Sequence, residues 1–328
     1  MQKVAIVGAG HMGQKHAAAY GQIPDADLVA LVDNRPNALL QAGETYGAGV
    51  FTDFEKMMSV VSPDVIDICV PTPWHKEYVL RATALGKHVV VEKPMARTVD
   101  ECREMAEAAR KAGVTFMVAH VVRYFPEFAA AKAQVEAGAV GQPAMVRTTR
   151  GGSFPGASGN WYGDPNQSGG VVLDLIIHDF DWLRWTFGDV DRVFAKGNIS
   201  KEFGCIDYAL VTLHMKSGVI AHVEGTWANP SGFQTKFEIT GDKGMLEFDG
   251  GNTAPLMIAM KKAETASGGV AVPESPTDKD PYYLELRHFI ECAETGATPM
   301  VTLEDGMKAV EVSMAALESI RTGKAVTL

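Results

Sequence analysis

The chain has 328 residues, 46% of them hydrophobic and 21% charged, with a formal net charge of -10. That length exceeds the size at which one core usually stops growing, so two domains are expected. The acidic balance argues against phosphate-backbone binding, and no apolar run approaches the roughly 18 residues that cross a bilayer, so nucleic acid and membrane are both excluded as partners.

The amino terminus, MQKVAIVGAG, enters a strand pattern at once and lacks the charged and apolar regions of a secretion signal. Cys69, Cys102, Cys205 and Cys292 are scattered and form no CxxC pair, which points to buried thiols in a cytoplasmic protein and to no metal site. Through residue 120, apolar runs at Val4–Val7, Leu28–Val32, Val65–Val70, Val89–Val91 and Val114–Val118 alternate with helical spacing, as over Glu77–Leu85 and Val99–Lys111. Runs that are apolar throughout suit strands buried on both faces, and strict alternation with helices implies βαβ units. The reading for 1–120 is a doubly wound parallel α/β domain.

Beyond 120 the pattern changes. Helical spacing over Pro126–Ala137 leads to a strand near Ala144–Thr149, then a loop rich in Gly, Ser, Pro and Asn from Gly151 to Gly170. A helix is predicted from about Asp174 to Phe187. Strands follow at Ile206–Met215, Val219–Trp227, Thr235–Thr240 and Met245–Phe248, separated by turns, which reads as an antiparallel meander. Gly250–Pro281 looks irregular. Two helices close the chain, Pro281–Glu294 and Leu303–Arg321, the second with Thr302 as N-cap, Asp305 three residues on and Gly323 past its end. Residues 121–328 are thus read as a substrate-binding and oligomerisation α+β domain on a largely antiparallel open sheet, its last helix able to pack back on the first domain. One sheet face would take the helices and leave the other for a second subunit, as in a homodimer or homotetramer.

The first candidate site follows the first strand: Gly8-Ala9-Gly10-His11-Met12-Gly13. Its glycines permit a tight turn, close approach of a pyrophosphate and helix–strand packing, while the helix N-terminus offers free N–H groups. Asp33 ends the second strand 20 residues after Gly13 and can accept from adenosine ribose hydroxyls, which favours NAD; it could also be a simple turn residue. Asn34 adjoins it, and Arg35 is either a ligand for a 2′-phosphate or a surface charge, so NADP stays open.

Glu92-Lys93-Pro94 falls at the carboxyl end of Val89–Val91, where parallel sheets bind ligands, and the Lys93 ammonium can polarise a carbonyl or exchange a proton with a hydroxyl. Further on, GGVVLDLIIHDFD places Asp174, His178 and Asp181 on one helical face and Ile176, Phe180, Leu183 and Phe187 on the other. The competing reading of that first face is a solvated polar surface.

Together GAGHMG, EKP and GGVVLDLIIHDFD resemble the Gfo/Idh/MocA oxidoreductases, glucose–fructose oxidoreductase and inositol dehydrogenase among them, over nearly the whole chain. The resemblance implies a Rossmann domain and NAD(P)-dependent oxidation of a sugar or cyclic polyol hydroxyl. It implies that Lys93 contacts the nicotinamide ribose and the reacting hydroxyl, that Lys93–Pro94 is cis, and that Asp174 and His178 orient the substrate and handle its proton. Pro71, Thr72, Pro73 and His75 would line the central part of the cofactor. Arg123 stands in HVVRYFPEF, where the family often has Asn-x-Arg, and His120 and Val121 depart from that pattern. Trp161 could cover the sugar or pack on its own domain. Two rival functions fit the same fold: a glycosidase using NAD for transient oxidation, and a non-catalytic dinucleotide-binding regulator.

Overall fold

The computed structural model describes residues 1–156, 158–199, 204–230, 232–251 and 280–328. In chain order the first elements are β1 (Gln2–Val7), α1 (His11–Tyr20), β2 (Ala26–Val32), α2 (Pro36–Tyr46), β3 (Gly49–Phe51), α3 (Phe54–Val61), β4 (Val65–Ile68), α4 (His75–Ala84), β5 (His88–Glu92), α5 (Val99–Ala112) and β6 (Phe116–Ala119). There follow α6 (Pro126–Glu136), β7 (Pro143–Gly151), α7 (Pro165–Ser168), α8 (Gly170–Asp174), α9 (Ile177–Phe187) and β8 (Val190–Ile199). The chain continues with β9 (Ile206–Met215), β10 (Ile220–Thr226), β11 (Gln234–Gly241), β12 (Met245–Asp249), α10 (Pro281–Thr295), α11 (Leu303–Thr322) and β13 (Val326–Thr327). No described helix is long and apolar enough to cross a membrane.

Two compact units emerge, residues 1–124 with 280–307 and residues 125–251 with 308–328. The first is built on a six-stranded parallel sheet in the order β3-β2-β1-β4-β5-β6, the doubly wound arrangement expected from the apolar runs. Val4–Val7, Val65, Ile66, Ile68 and Val89–Val91 are fully or almost fully buried, because helices cover both faces. The segmentation at residue 120 assigns α10 to the second domain, whereas it packs on the first unit. There Lys15 of α1 pairs with Asp280 at 2.7 Å, and the ring of His16 lies 6.1 Å from that of Tyr282. The first turn of α11 also lies against this sheet: a Cβ on Gly306 would stand 2.5 Å from Val118 Cγ2. The predicted cap is present, with Asp305 N–H donating to Thr302 Oγ1 at 3.1 Å and Thr302 N–H donating to Asp305 at 3.0 Å.

The second unit carries a seven-stranded sheet in the order β12-β11-β7-β10-β9-β8-β13. It is mixed, because β7 inserts between β11 and β10, antiparallel to the first and parallel to the second. The predicted simple meander is corrected here: periodicity marks a strand but says nothing about which neighbour it takes. One sheet face is apolar, with Val193, Ala209, Val211, Leu213, Ala221, Val223, Val146 and Ile239 buried beneath the helices of this unit. Phe128, Trp182 and Phe237 form the aromatic centre of that layer, their ring centroids 5.2 Å apart pairwise.

The helix predicted from Asp174 to Phe187 begins instead at Ile177, and a separate short helix, α8, ends at Asp174. Leu175 and Ile176 both donate to Val171 O, at 3.1 and 3.0 Å, and this widened turn ends α8 before α9 begins. Packing explains the offset. Ile176 presses on β10 at Gly225, where a Cβ would meet Ile176 Cγ2 at 2.3 Å, so only glycine admits it. The irregular segment read between Gly250 and Pro281 lies, over 252–279, outside the described residues.

Candidate active site

The candidate cofactor residues of the first unit collect at the carboxyl ends of β1, β2, β4 and β5. Gly8 has a φ of +105°, and a Cβ there would lie 2.6 Å from Cys69 O, so the turn after β1 requires glycine. A Cβ on Gly13 would sit 1.8 Å from Gly8 O, and its absence lets α1 start against the loop. Gly10, by contrast, would meet nothing nearer than Arg35 Nη2 at 3.5 Å. That is ordinary van der Waals contact at the start of α1, which has no side-chain cap. First-turn amides without intrahelical acceptors and the positive end of the helix dipole together fit a pyrophosphate. His11 and Met12 form that first turn.

Asp33 is 9% exposed and fixes this loop to the end of β2. It accepts from Ala9 N at 2.8 Å, from Arg35 N at 2.9 Å, and from the Arg35 guanidinium at 2.9 and 2.8 Å. Burial alone raises its pKa, but the hydrogen bonds from Arg35 and Ala9 outweigh that and hold it below the ordinary 3.8. The carboxylate is therefore charged where a ribose would lie, and Arg35 is its partner. Asn34 is exposed beside it.

After β4, Pro71 leads into a single 3₁₀ turn, Thr72–Trp74, that includes Pro73 and starts α4 at His75. His75 is buried, its Nδ1 lying 2.9 Å from Pro94 O and its Nε2 2.8 Å from Val70 O. It therefore ties the end of β4 to the turn after β5. Lys93–Pro94 is cis, and Glu92, 6% exposed, accepts the Lys93 N–H at 3.0 Å through Oε2.

Behind these strand ends lies a buried polar cluster that the sequence reading did not single out. His16 Nδ1 is 2.8 Å from Asp67 Oδ2, and His16 Nε2 is 3.2 Å from Glu92 Oε1. Cys69 Sγ stands 3.4 Å from both His16 Nδ1 and Asp67 Oδ1. Burial pushes the Cys69 thiol far above its ordinary range. A signal was present in the sequence: a carboxylate inside the apolar strand Val65-Ile66-Asp67-Ile68 requires a partner.

Arg123 is 2% exposed on its own unit's frame, donating to Met300 O at 2.8 Å and pairing with Asp305 at 3.2 Å. In the second unit, buried Asp174 closes α8, and His178 stands in the first turn of α9, partly exposed. The helix break falls between them, so Asp174 and His178 stand on successive helices and not on one; Asp181 is fully buried. Nor is α9 a solvated polar surface. Its unpredicted member is Asp179, 1% exposed, which accepts from Arg150 Nε of β7 at 2.6 Å. Trp161 packs on Tyr162 of the same turn, centroids 4.0 Å apart.

Two family models match the chain. The oxidoreductase family with the NAD-binding Rossmann fold covers residues 2–120, and the GFO/IDH/MocA C-terminal domain covers 128–247. The chain is 29% identical to scyllo-inositol 2-dehydrogenase (NAD(+)) of Bacillus subtilis (strain 168), over 99% of this chain and 96% of that one. It is 28% identical to myo-inositol 2-dehydrogenase of Thermotoga maritima, over 99% and 98%. Among solved structures, myo-inositol 2-dehydrogenase from Lactobacillus plantarum superposes with a TM-score of 0.86 at 27% identity, covering 100% of this chain and 99% of that one.

Proposed function

Because the chain belongs to the Gfo/Idh/MocA oxidoreductase family, we propose that it oxidises a secondary hydroxyl of a cyclic polyol or sugar, inositols foremost, with NAD as acceptor. The observation that carries this reading is the convergence of the glycine loop, Asp33 and Glu92–Lys93 at neighbouring strand ends of one parallel sheet. Gly8, Gly10, Gly13 and the first turn of α1 would hold the pyrophosphate, and Asp33 the adenosine ribose; the nicotinamide supplies a hydride acceptor. Lys93 holds the substrate oxygen and stabilises its developing negative charge. His178 takes the hydroxyl proton on a ring nitrogen, and Asp174 orients the substrate beside it. The oxygen of the substrate thus loses its proton to the protein as its carbon gives up hydride.

The test is formation of reduced nicotinamide from NAD or NADP over a panel of inositols, aldoses and nucleotide sugars. Lys93→Met and His178→Asn are each expected to lower kcat by about 10²–10⁴ while dinucleotide still binds. Undiminished turnover in either removes that residue from the mechanism. Sugar release from a glycoside without net reduction would favour a glycosidase, and dinucleotide binding with no turnover a regulator.

The second sheet supports a homodimer or homotetramer. On the face away from its helices it presents Phe194, Leu210, Ile220 and Met245, 39–55% exposed, and a second copy is the occupant that fits this alternation. Sedimentation should show a dimer or larger species that Leu210→Glu dissociates; a monomeric parent protein would refute this.

A further inference from the structure

The buried cluster behind the strand ends is an arrangement for which the proposed chemistry above has no use. We infer that His16 is a positioning residue: an imidazole on the phosphate-binding helix, set between Asp67 and Glu92, that fixes the Glu92 carboxylate and, through it, the peptide carrying Lys93. The inference rests on the reading of Lys93 as a group acting on substrate, and extends it to a residue that touches neither substrate nor cofactor.

Geometry carries the first half. Both His16 nitrogens face carboxylate oxygens, Asp67 Oδ2 at 2.8 Å and Glu92 Oε1 at 3.2 Å, and His16 and Asp67 are wholly buried. Nδ1 is hydrogen-bonded to Asp67, whereas Nε2 stands at ion-pair distance from Glu92 Oε1 without a formed hydrogen bond, so what favours the imidazolium is two carboxylates set against one buried ring. A buried carboxylate pair without that cation would be driven to protonate. Burial disfavours the charged ring, but the Asp67 charge prevails and holds the His16 pKa well above its ordinary value; burial likewise opposes the Glu92 charge, and His16 keeps its pKa low. The groups facing the cluster are Tyr20 of α1, Cys69 after β4, His75 of α4, Lys93, and Tyr282, Glu285 and Asp280 at α10.

The second half is connectivity. Glu92 uses its two oxygens in opposite directions, Oε1 toward His16 and Oε2 toward the Lys93 N–H at 3.0 Å. His16 lies one turn past Gly13 on α1, whose amino end forms the phosphate loop. One imidazole therefore ties the helix that receives the dinucleotide to the residue that receives the hydroxyl. A misplacement of that lysine by a fraction of an ångström would cost turnover more than binding.

The test has an arm that needs no turnover. In ¹⁵N-histidine spectra of the whole protein, assigned residue by residue, His16 should keep both ring N–H protons at about pH 8.5, two units above an ordinary histidine. A neutral tautomer there overturns the inference. In kinetics, His16→Gln should lower kcat at least tenfold and shift the alkaline limb of its pH profile, with the dissociation constant for NAD moving less than threefold. A merely structural role would reduce the amount of folded enzyme and leave kcat per active site and the profile unchanged. Should His16→Gln fail to fold, Glu92→Gln keeps an acceptor for the Lys93 N–H and should retain several-fold more kcat than Glu92→Ala; equal losses overturn the relay. Full activity of Lys93→Met overturns the reading of Lys93, and this inference with it. An inactive Lys93→Met beside fully active His16→Gln and Glu92→Ala overturns this inference alone.

Discussion

Replacing Asp33 by serine should convert the dinucleotide preference, and the size of the change can be worked from the contacts at the end of β2. Asp33 carries a full negative charge, held below its ordinary pKa against the cost of burial by Arg35 and Ala9. A 2′-phosphate brings a charge near -2. At roughly 6 Å and an effective dielectric of about 40, the repulsion removed is roughly 3 kcal/mol, or about 100-fold in relative affinity. The same substitution releases the Arg35 guanidinium from two hydrogen bonds of 2.9 and 2.8 Å, freeing it for the phosphate. A charged hydrogen bond of that kind adds about 1.5 kcal/mol. Loosening of the Ala9 N–H anchor at 2.8 Å weakens both dinucleotides alike and cancels in the ratio. The expected outcome is a rise of about 10²–10³ in the NADPH-to-NADH affinity ratio, read by fluorescence titration. Asp33→Ser combined with Arg35→Ala should return about tenfold of that gain. A ratio that moves less than about tenfold in Asp33→Ser would mean that this carboxylate does not face the ribose.

Three further outcomes follow from packing. Gly13→Ala forces a methyl to 1.8 Å from Gly8 O, so α1 must move off the loop; dinucleotide binding should be lost by titration although the protein remains folded by circular dichroism. Arg150→Met leaves the buried Asp179 carboxylate uncompensated and should cost about 3–5 kcal/mol in denaturant unfolding, with Arg150→Met/Asp179→Leu recovering part of it. Asp305 has its pKa held below 3.8, since Arg123 and the Thr302 cap outweigh its burial. A depressed carboxylate stabilises fully above its unfolded pKa and loses that contribution as pH falls through the lower folded value. The stability gap between parent and Asp305→Asn, about 1–3 kcal/mol at pH 7, should therefore close only below about pH 3.8.

The parallel sheet was legible because its strands are apolar on both faces, a pattern that Val4–Val7 and Val89–Val91 state without any tertiary information. The glycine loop was legible for a similar reason: its requirements are local, and Gly8 and Gly13 meet them with atoms a few residues away or on the adjoining strand. The insertion of β7 between β10 and β11 was not, because register and neighbour choice depend on contacts distant in sequence. The break between α8 and α9 was hidden likewise, since it answers to Gly225 on another strand. Of the polar residues, only those within a named motif could be singled out from the sequence. His16, Arg150 and Asp179 could not, because each looks ordinary until its partner is known, and Asp67, whose place in an apolar strand called for a partner, did not say which one.

Those four residues bear on what buried charge is for in this chain. Desolvating an ion pair takes back most of what the pair returns, and apolar residues of similar size would commonly stabilise as well or better. Stability is thus a weak reason for His16 between Asp67 and Glu92, or for Arg150 against Asp179. What a hydrogen-bonded ion pair supplies and a leucine does not is direction. The first cluster ends on the Lys93 N–H, and the second pins the turn of α9 that also holds His178. If position is what these charges secure, apolar replacements that leave the unfolding free energy intact should still lower kcat per folded molecule. Asp179→Leu with Arg150→Met separates the two readings: unimpaired turnover in that stable double variant would mean the second pair serves folding alone.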